Sequence, residues 1–309
     1  MGIKNLGKFI RKKYPECVRE VSLQHYQNQR AVIDTPIFMY RFCSVNPDTC
    51  IQMFKRQLQQ FEHWNIVPTY VFDGVPAATS ARTTSTGKDL KEGTLEERRK
   101  RKREWKDKAN DESLPVADRL VYQTRLQNIP TRQHYAELQT FLTSCNVTFL
   151  TAESDAEKEC VARCLQGKAD VVFSEDFDVL PFGWNLSTGL GRKKMLEYDL
   201  KQIQNAMGFT HEMFVEFCIL CGCDFSPSIG NVGPVRALKL LQVHKNIDTL
   251  LTFLDRNKYT VPDPFPYHDA RNAFQALDST APSEGTSEGT LSDSSNSINK
   301  ASVCFFEFL

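Results

Sequence analysis

The stretch Ala169–Leu180, ADVVFSEDFDVL, decides the reading of this chain. Val171–Phe173 is a short β-branched and aromatic run, the pattern of a strand buried on both faces. It leads directly into Ser174-Glu175-Asp176-Phe177-Asp178, so carboxylates crowd the strand's carboxyl end, where open α/β sheets bind their ligands. Asp176 and Asp178 are two apart and in extended backbone face the same way. Two like charges above an apolar strand are costly unless a cation lies between them. A hard divalent ion, Mg2+ or Mn2+, suits such oxygen ligands. A solvated acidic loop is the commoner origin of an acid pair, and this stretch alone does not choose between the two.

The same pattern recurs on both sides of it. Arg30–Asp34 reads as an apolar strand ending in an acid, and Val67–Asp73 repeats the arrangement. One strand-end aspartate is a turn residue, but three strands ending this way suggest a site. Asn146–Leu150 reads as a further strand, followed by Asp155 and Glu157 at the start of a helix through Leu165; there N-capping is a serious alternative. Phe214–Leu220 reads as a buried helix that ends at Cys221-Gly-Cys-Asp224. Asp34, Asp73, Asp155, Glu157, Asp176, Asp178 and Asp224 thus each fall near a strand's carboxyl end or a helix boundary. Acids converging on one rim repel without metals, and two cations about 4 Å apart would there activate a water and stabilise a leaving oxygen.

Between the strands lie helical patterns. Ile3, Leu6, Phe9 and Ile10 open the chain at helical spacing, Ile37–Tyr40 begins a second helix, and Met53–Phe61, carrying Arg56, forms a third. Pro130–Ser144 and Ile247–Leu254 read as helices, and Met195–Leu200 as a short strand. After Pro76 the composition turns to Ser, Thr and Ala, a loop leading to Lys91 and then to the basic run Arg98–Arg103. Leu95–Lys108 has good helix formers and almost no apolar face. A solvated face, a nuclear localisation signal and a phosphate path are all compatible with it. Ser228–Ala237 reads as two turns feeding a helix from Pro234, with Gly230, Asn231 and Gly233 permitting positive φ and leaving amides for a phosphate. A plain helix–turn–helix connection is the alternative there. Residues from about 279 to 299 have the composition of disorder, and Cys304–Leu309 is a short apolar cluster.

Lys plus Arg number 38 against 38 Asp plus Glu, so no overall field points to a polyanionic partner. The opening MGIKNLGKFIRKKYPE has no secretory core and no apolar run is long enough for a membrane span, so the ten cysteines are expected to be free thiols in a reducing compartment. Leu6 excludes Gly2 myristoylation. Cys218, Cys221 and Cys223 lack partners at metal-site spacing and read as structural thiols.

Taken together, Met1–Leu6, Val32-Ile-Asp34, Tyr70–Gly74, Glu153–Glu157, Ser174–Asp178, Gly222–Asp224, Gly230–Ala237 and Asn257–Pro262 resemble, in order, the motifs of the flap endonuclease family. These are the structure-specific 5′ nucleases that include the xeroderma pigmentosum group G protein. The likeness runs from residue 1 to about 275. It implies an α/β fold with a mainly parallel twisted sheet flanked by helices, a helical arch inserted at about 76–130, and a helix–two-turn–helix element at about 214–243. Residues 276–309 are then a disordered tail.

The resemblance further implies Mg2+-dependent hydrolysis of DNA at 5′ flaps or junctions, with 5′-3′ exonuclease activity, in replication, repair or recombination. An RNA-directed 5′ exonuclease and a non-catalytic junction-binding protein are the rivals. Carried over by position, Asp34, Asp73, Asp155 and Glu157 would hold one Mg2+. Glu157, Asp176, Asp178 and Asp224 would hold a second, with Mn2+ able to substitute. Lys91 and Arg98 would steer the scissile phosphate. Gly2, Tyr40, Arg56, Arg101, Lys102, Gly230 and Gly233 would meet DNA, with K+ at the two-turn element. Asp155 stands where the family usually has Glu, and Asn231 where it has Gly. Branched or flapped duplex DNA is the expected partner, of a monomer without membrane contact. Phe305-Phe306 offers a sliding-clamp motif that lacks the upstream Gln and aliphatic spacing. A nuclear setting, or a viral replication compartment, follows.

Overall fold

Alternation within three apolar strands sets the architecture. In Arg30–Asp34 (β2), Val67–Phe72 (β3) and Val171–Phe173 (β5), Val32, Val71 and Val172 pack into one core. Ile33, Tyr70, Phe72 and Phe173 pack into another on the opposite face. Burying each of these side chains is worth roughly 1.5–3 kcal/mol, so both faces must be covered, which is why these strands carry apolar residues at successive positions.

The computed structural model describes residues 2–74, 99–192 and 194–275. Its sheet has the order β1-β7-β6-β5-β2-β3-β4, with β1 at Val18–Val21, β4 at Phe149–Thr151, β6 at Leu186–Thr188 and β7 at Met195–Tyr198. The neighbours from β6 through β4 are parallel, whereas β7 runs antiparallel to both β6 and β1. The expected mainly parallel sheet is therefore observed. One core is covered by α1 (Leu6–Lys13), α7 (Ala156–Leu165), α8 (Leu200–Met207), α9 (His211–Cys221), α10 (Pro234–His244), α11 (Ile247–Phe253) and α12 (Tyr267–Gln275). The other is covered by α2 (Thr35–Val45), α3 (Cys50–His63) and α6 (Arg132–Ser144). Between β3 and α6, the helical segment 99–110 (α4) and α5 (Val116–Gln127) bury almost nothing: α5 has no buried residue, and Ala109 alone is buried in 99–110.

From β2 the chain steps outward to β3 and β4, then returns across them to place β5 on the other side of β2. The connection reverses direction between β2 and β5, and in such sheets the crevice outside the carboxyl ends at that reversal is the ligand position. Several expectations are corrected. The strand expected at 146–150 is confined to Phe149–Thr151, while β1, β6, α5, α8 and α12 had not been read from the sequence. Lys91, Arg98 and the tail 276–309 lie outside the described residues.

Candidate active site at the carboxyl rim

The parallel register pairs Ile33 with Phe173, which brings the next residues, Asp34 and Ser174, side by side over the crevice. The Ser174 hydroxyl donates to Asp34 Oδ2 at 2.5 Å and accepts the Asp176 backbone N–H at 2.9 Å. Asp176 Oδ1 in turn accepts the Asp178 N–H at 3.1 Å, capping a single 3-10 turn at Phe177–Val179. Asp176 and Asp178 are therefore not aligned by extended backbone, as their spacing had suggested; a side-chain-capped turn joins them. Asp34, Asp176 and Asp178 are only 3, 8 and 1 % exposed. Burial pushes the Asp34 carboxyl up to about 7; the Ser174 hydroxyl offsets part of that, and the charges of Asp176 and then Asp73 add to it.

The end of β3 is tied to the β4–α7 connection. Asp73 Oδ1 accepts the Ala156 N–H at 3.0 Å, and Gly74 N donates to Ser154 O at 2.9 Å. A Cβ on Gly74 would lie 2.3 Å from Ala152 O, so only glycine permits this approach. Asp155 occupies the N-cap position of α7 without a side-chain capping bond, and the helix's first N–H is met by Asp73 from the neighbouring strand. The capping explanation thus does not account for Asp155. Glu157 follows in the first turn, near buried Cys160, whose thiol is raised by burial first and then by Asp34, with Glu157 a smaller contributor.

The chain's opening residues close the third side. Lys4 N donates to Gly222 O at 3.2 Å, beside the turn that carries Asp224. Gly2, at φ +77°, lies against the acid loop: a Cβ there would fall 1.9 Å from Asp176 Oδ1 and 2.7 Å from Asp178 Oδ1. Cys223 senses both Asp178 and Asp224; its thiol is pushed up to about 12, mostly by burial. Among the described residues no three His, Cys, Asp or Glu side chains are grouped so as to hold a metal ion as they stand. The acids line the rim instead, as like charges do. The donor set is all oxygen and Asp34 resists ionisation where it stands, a combination that fits a hard divalent cation.

The remaining predicted residues are spread more widely. Tyr40, 45 % exposed, stands on α2 near Tyr135, whose phenol is raised by burial first, then by Tyr40 and Asp73. Arg56 is exposed on α3 in an open cleft of about 460 Å³ with Gln59, Gln60, His63 and Trp64, and none of its described contacts reaches the acids. Arg101 and Lys102 are exposed on 99–110, the helix whose Trp105 lies 5.6 Å under the Arg125 guanidinium of α5. Between Ser228 and Ala237 only Asn231, at φ 63°, uses the positive φ that Gly230 and Gly233 also permit, and the Gly230 N–H is not left for a phosphate but donates to Thr260 O at 2.6 Å. Gly230 is instead required by close approach, since a Cβ would lie 2.9 Å from the Thr260 Cβ. Gly233, ahead of α10, faces open space. Sequence reasoning missed Ser174, although its place two residues before Asp176 was a signal, and Arg41, a lone charge in an otherwise apolar helical segment.

A rim of hard oxygen donors at the switch point of a mainly parallel sheet defines an α/β protein suited to binding divalent cations. The XPG N-terminal domain model matches residues 1–104 and the XPG I-region model residues 146–224. Flap endonuclease 1-B of Physcomitrium patens is 31 % identical over 298 residues, covering 89 % of this chain and 82 % of that one. The catalytic core of Rad2 in complex with DNA substrate superposes with a TM-score of 0.65 at 20 % identity, covering 88 % of this chain and 86 % of that one. The junction-resolving enzyme GEN1 has been solved with product DNA, Mg2+ and Mn2+, and elsewhere with potassium. In both structures it gives a TM-score of 0.56 at 18 % identity, over 89 % of this chain and 65 % of that one. The chain belongs to the flap endonuclease and xeroderma pigmentosum group G family. Among the described residues no helix is long and apolar enough to cross a membrane.

Proposed function

We propose that the protein is a divalent-metal-dependent, structure-specific 5′ nuclease that hydrolyses DNA phosphodiesters at 5′ flaps or junctions. The observation that carries this reading is the linked set of Asp34, Ser174, Asp176 and Asp178 at the sheet's switch point, with Gly2 pressed against it. Two Mg2+ ions, replaceable by Mn2+, supply when bound an activated water and neutralisation of the leaving oxygen. Asp34, Asp73, Asp155 and Glu157 would hold one ion, and Glu157, Asp176, Asp178 and Asp224 the other. Mg2+ and Mn2+ in the GEN1 neighbour support divalent metal use. The potassium-bound form of that neighbour is compatible with K+ use, which would fall at the two-turn element.

The protein's own groups bind and orient. Ser174 fixes the Asp34 carboxyl and the Asp176 backbone together. Lys91 and Arg98 would steer the scissile phosphate, Arg101 and Lys102 would neutralise neighbouring phosphates, and Tyr40 would stack on a base. Gly233 and the open space before α10 would admit a duplex phosphate. Residues 1–275 would form the nuclease domain. Eukaryotic relatives support a nuclear setting. An inactive junction binder is disfavoured, since a scaffold gains nothing from so much retained acid repulsion. Labelled 5′-flap DNA, the same flap in RNA and a blunt duplex, each with Mg2+, separate the readings. Cleavage at the DNA flap is expected, and preferential digestion of the RNA would replace it with the exonuclease alternative.

A further inference from the structure

Residues Ser174–Asp178 divide between two sets of partners. Ser174, Asp176 and Asp178 bond among themselves and to Asp34, whereas Phe177 and Glu175 anchor the loop elsewhere. Phe177 packs edge-on against Tyr198, with ring centroids 5.0 Å apart, and presses on Gly7, where a Cβ would lie 2.2 Å from its ring. Glu175 is anchored by charge. Its Oε1 accepts from Arg41 Nη1 at 3.1 Å and from Gly189 N at 3.1 Å, and its Oε2 faces Arg192 at 4.0 Å. The same Arg41 nitrogen donates to Leu190 O at 2.7 Å, and the guanidinium lies about 6 Å from the Phe38 and Phe42 rings. Arg41 and Glu175 are 25 and 24 % exposed, so this is a half-buried pair with several fixed partners, unlike a solvated surface ion pair.

Arg41 follows Tyr40 on α2, and Glu175 precedes Asp176. The pair therefore joins the helix that presents Tyr40, the acid loop and the β6–β7 connection. We propose that Arg41 and Glu175 are a positioning pair: they hold Ser174–Asp178 in the orientation in which Asp176 and Asp178 bind a divalent cation, without touching that cation. This inference rests on the metal-ligand reading above.

Charge and positioning predict opposite signs for one variant. Arg41→Ala deletes a cation beside an acidic rim, so electrostatics alone would strengthen binding of a divalent ion. Loss of positioning would weaken it. Mn2+ binding to the DNA-free protein, measured by calorimetry, distinguishes them without any cleavage. Removing an outer partner of metal ligands typically costs about tenfold or more in affinity; that loss is expected for Arg41→Ala and for Glu175→Ala. The double variant should lose no more than the worse single, because the two act as a unit. Asp170→Ala breaks the exposed Arg30–Asp170 pair at the opposite end of the sheet and should bind Mn2+ as the wild type does.

Unchanged or tighter Mn2+ binding by Arg41→Ala overturns the inference, as does a double variant whose loss is the product of the singles. Should an alanine variant fail to fold, Arg41→Gln and Glu175→Gln supply the same comparison. A wild type that binds no Mn2+ overturns this inference and the metal reading together. If the wild type binds Mn2+ but leaves flap DNA uncut, only the nuclease reading fails, and the affinity comparison still decides the pair.

Discussion

The acid rim and the helix pair formed by 99–110 and α5 both concentrate charge, but they are built in opposite ways. At the rim, Asp34, Asp176 and Asp178 are sunk into the end of the sheet; the Asp34 carboxylate accepts the Ser174 hydroxyl and the Asp176 carboxylate accepts the Asp178 backbone N–H. On the helix pair, Arg101, Lys102 and Arg125 are exposed, and the contacts between the helices include cations over rings, such as Arg125 over Trp105, and a hydrogen bond from Gln123 Nε2 to Ala109 O at 3.5 Å. Buried like charges cost stability, which a bound cation would restore. Exposed cations cost almost nothing and stabilise little. One region is fixed before any ligand arrives; the other offers charge with no core beneath it.

Six substitutions sharpen this contrast. The largest effect is expected for Asp176→Ala, which should lower single-turnover flap cleavage by about a thousandfold or more while flap affinity in Ca2+ changes only a few-fold. Near-normal cleavage would remove Asp176 from the site. The second effect is on stability. The Asp34 carboxyl is raised in the folded protein from near 4 to about 7, so folding favours its protonated form. The associated stabilisation is fully present below about pH 4 and is lost as pH rises through 7. Asn cannot ionise, so metal-free Asp34→Asn should be more stable than the wild type at pH 8 by about 1–4 kcal/mol. The advantage should shrink toward pH 4 and vanish for wild type saturated with Mg2+. Urea unfolding at both pH values checks it, and a pH-independent difference would contradict it.

Smaller effects belong to the parts proposed to face DNA. Gly230→Ala meets Thr260 and should cost about 1–3 kcal/mol of stability. Gly233→Ala, in open space, should leave the melting temperature alone and weaken only DNA binding. Equal destabilisation by both would refute that division. On the helix pair, Arg101→Ala and Lys102→Ala should each reduce the salt dependence of DNA affinity by about one unit of slope and leave stability unchanged. A melting shift of several degrees would mean that these side chains have structural partners after all.

What the sequence disclosed follows the same division. β2, β3 and β5 were legible because strands buried on both faces need unbroken apolar runs, and the acids at their ends stood out against those runs. β1 and β6 were not: VREV is partly exposed, and LST buries two hydroxyls in a short strand. α5 had no apolar stripe to read, since it buries nothing. The candidate acids were legible by type and position. The bonds that orient them were not, because Ser174 meets Asp34 only through the register of β2 on β5, and Arg41 meets Glu175 across 134 residues. The turn at Asp176–Asp178 was misread as extended because spacing gives periodicity but not capping.

The most direct measurement is cleavage of a labelled 5′-flap DNA by the wild type and by Asp178→Ala, each with Mg2+ and with EDTA. The wild type should cut at the flap in Mg2+ and stop in EDTA. Asp178→Ala should bind the DNA yet cut it slower by about three orders of magnitude. Cleavage by the wild type that persists in EDTA, or by Asp178→Ala at the wild-type rate, would contradict a metal-dependent reaction at this rim.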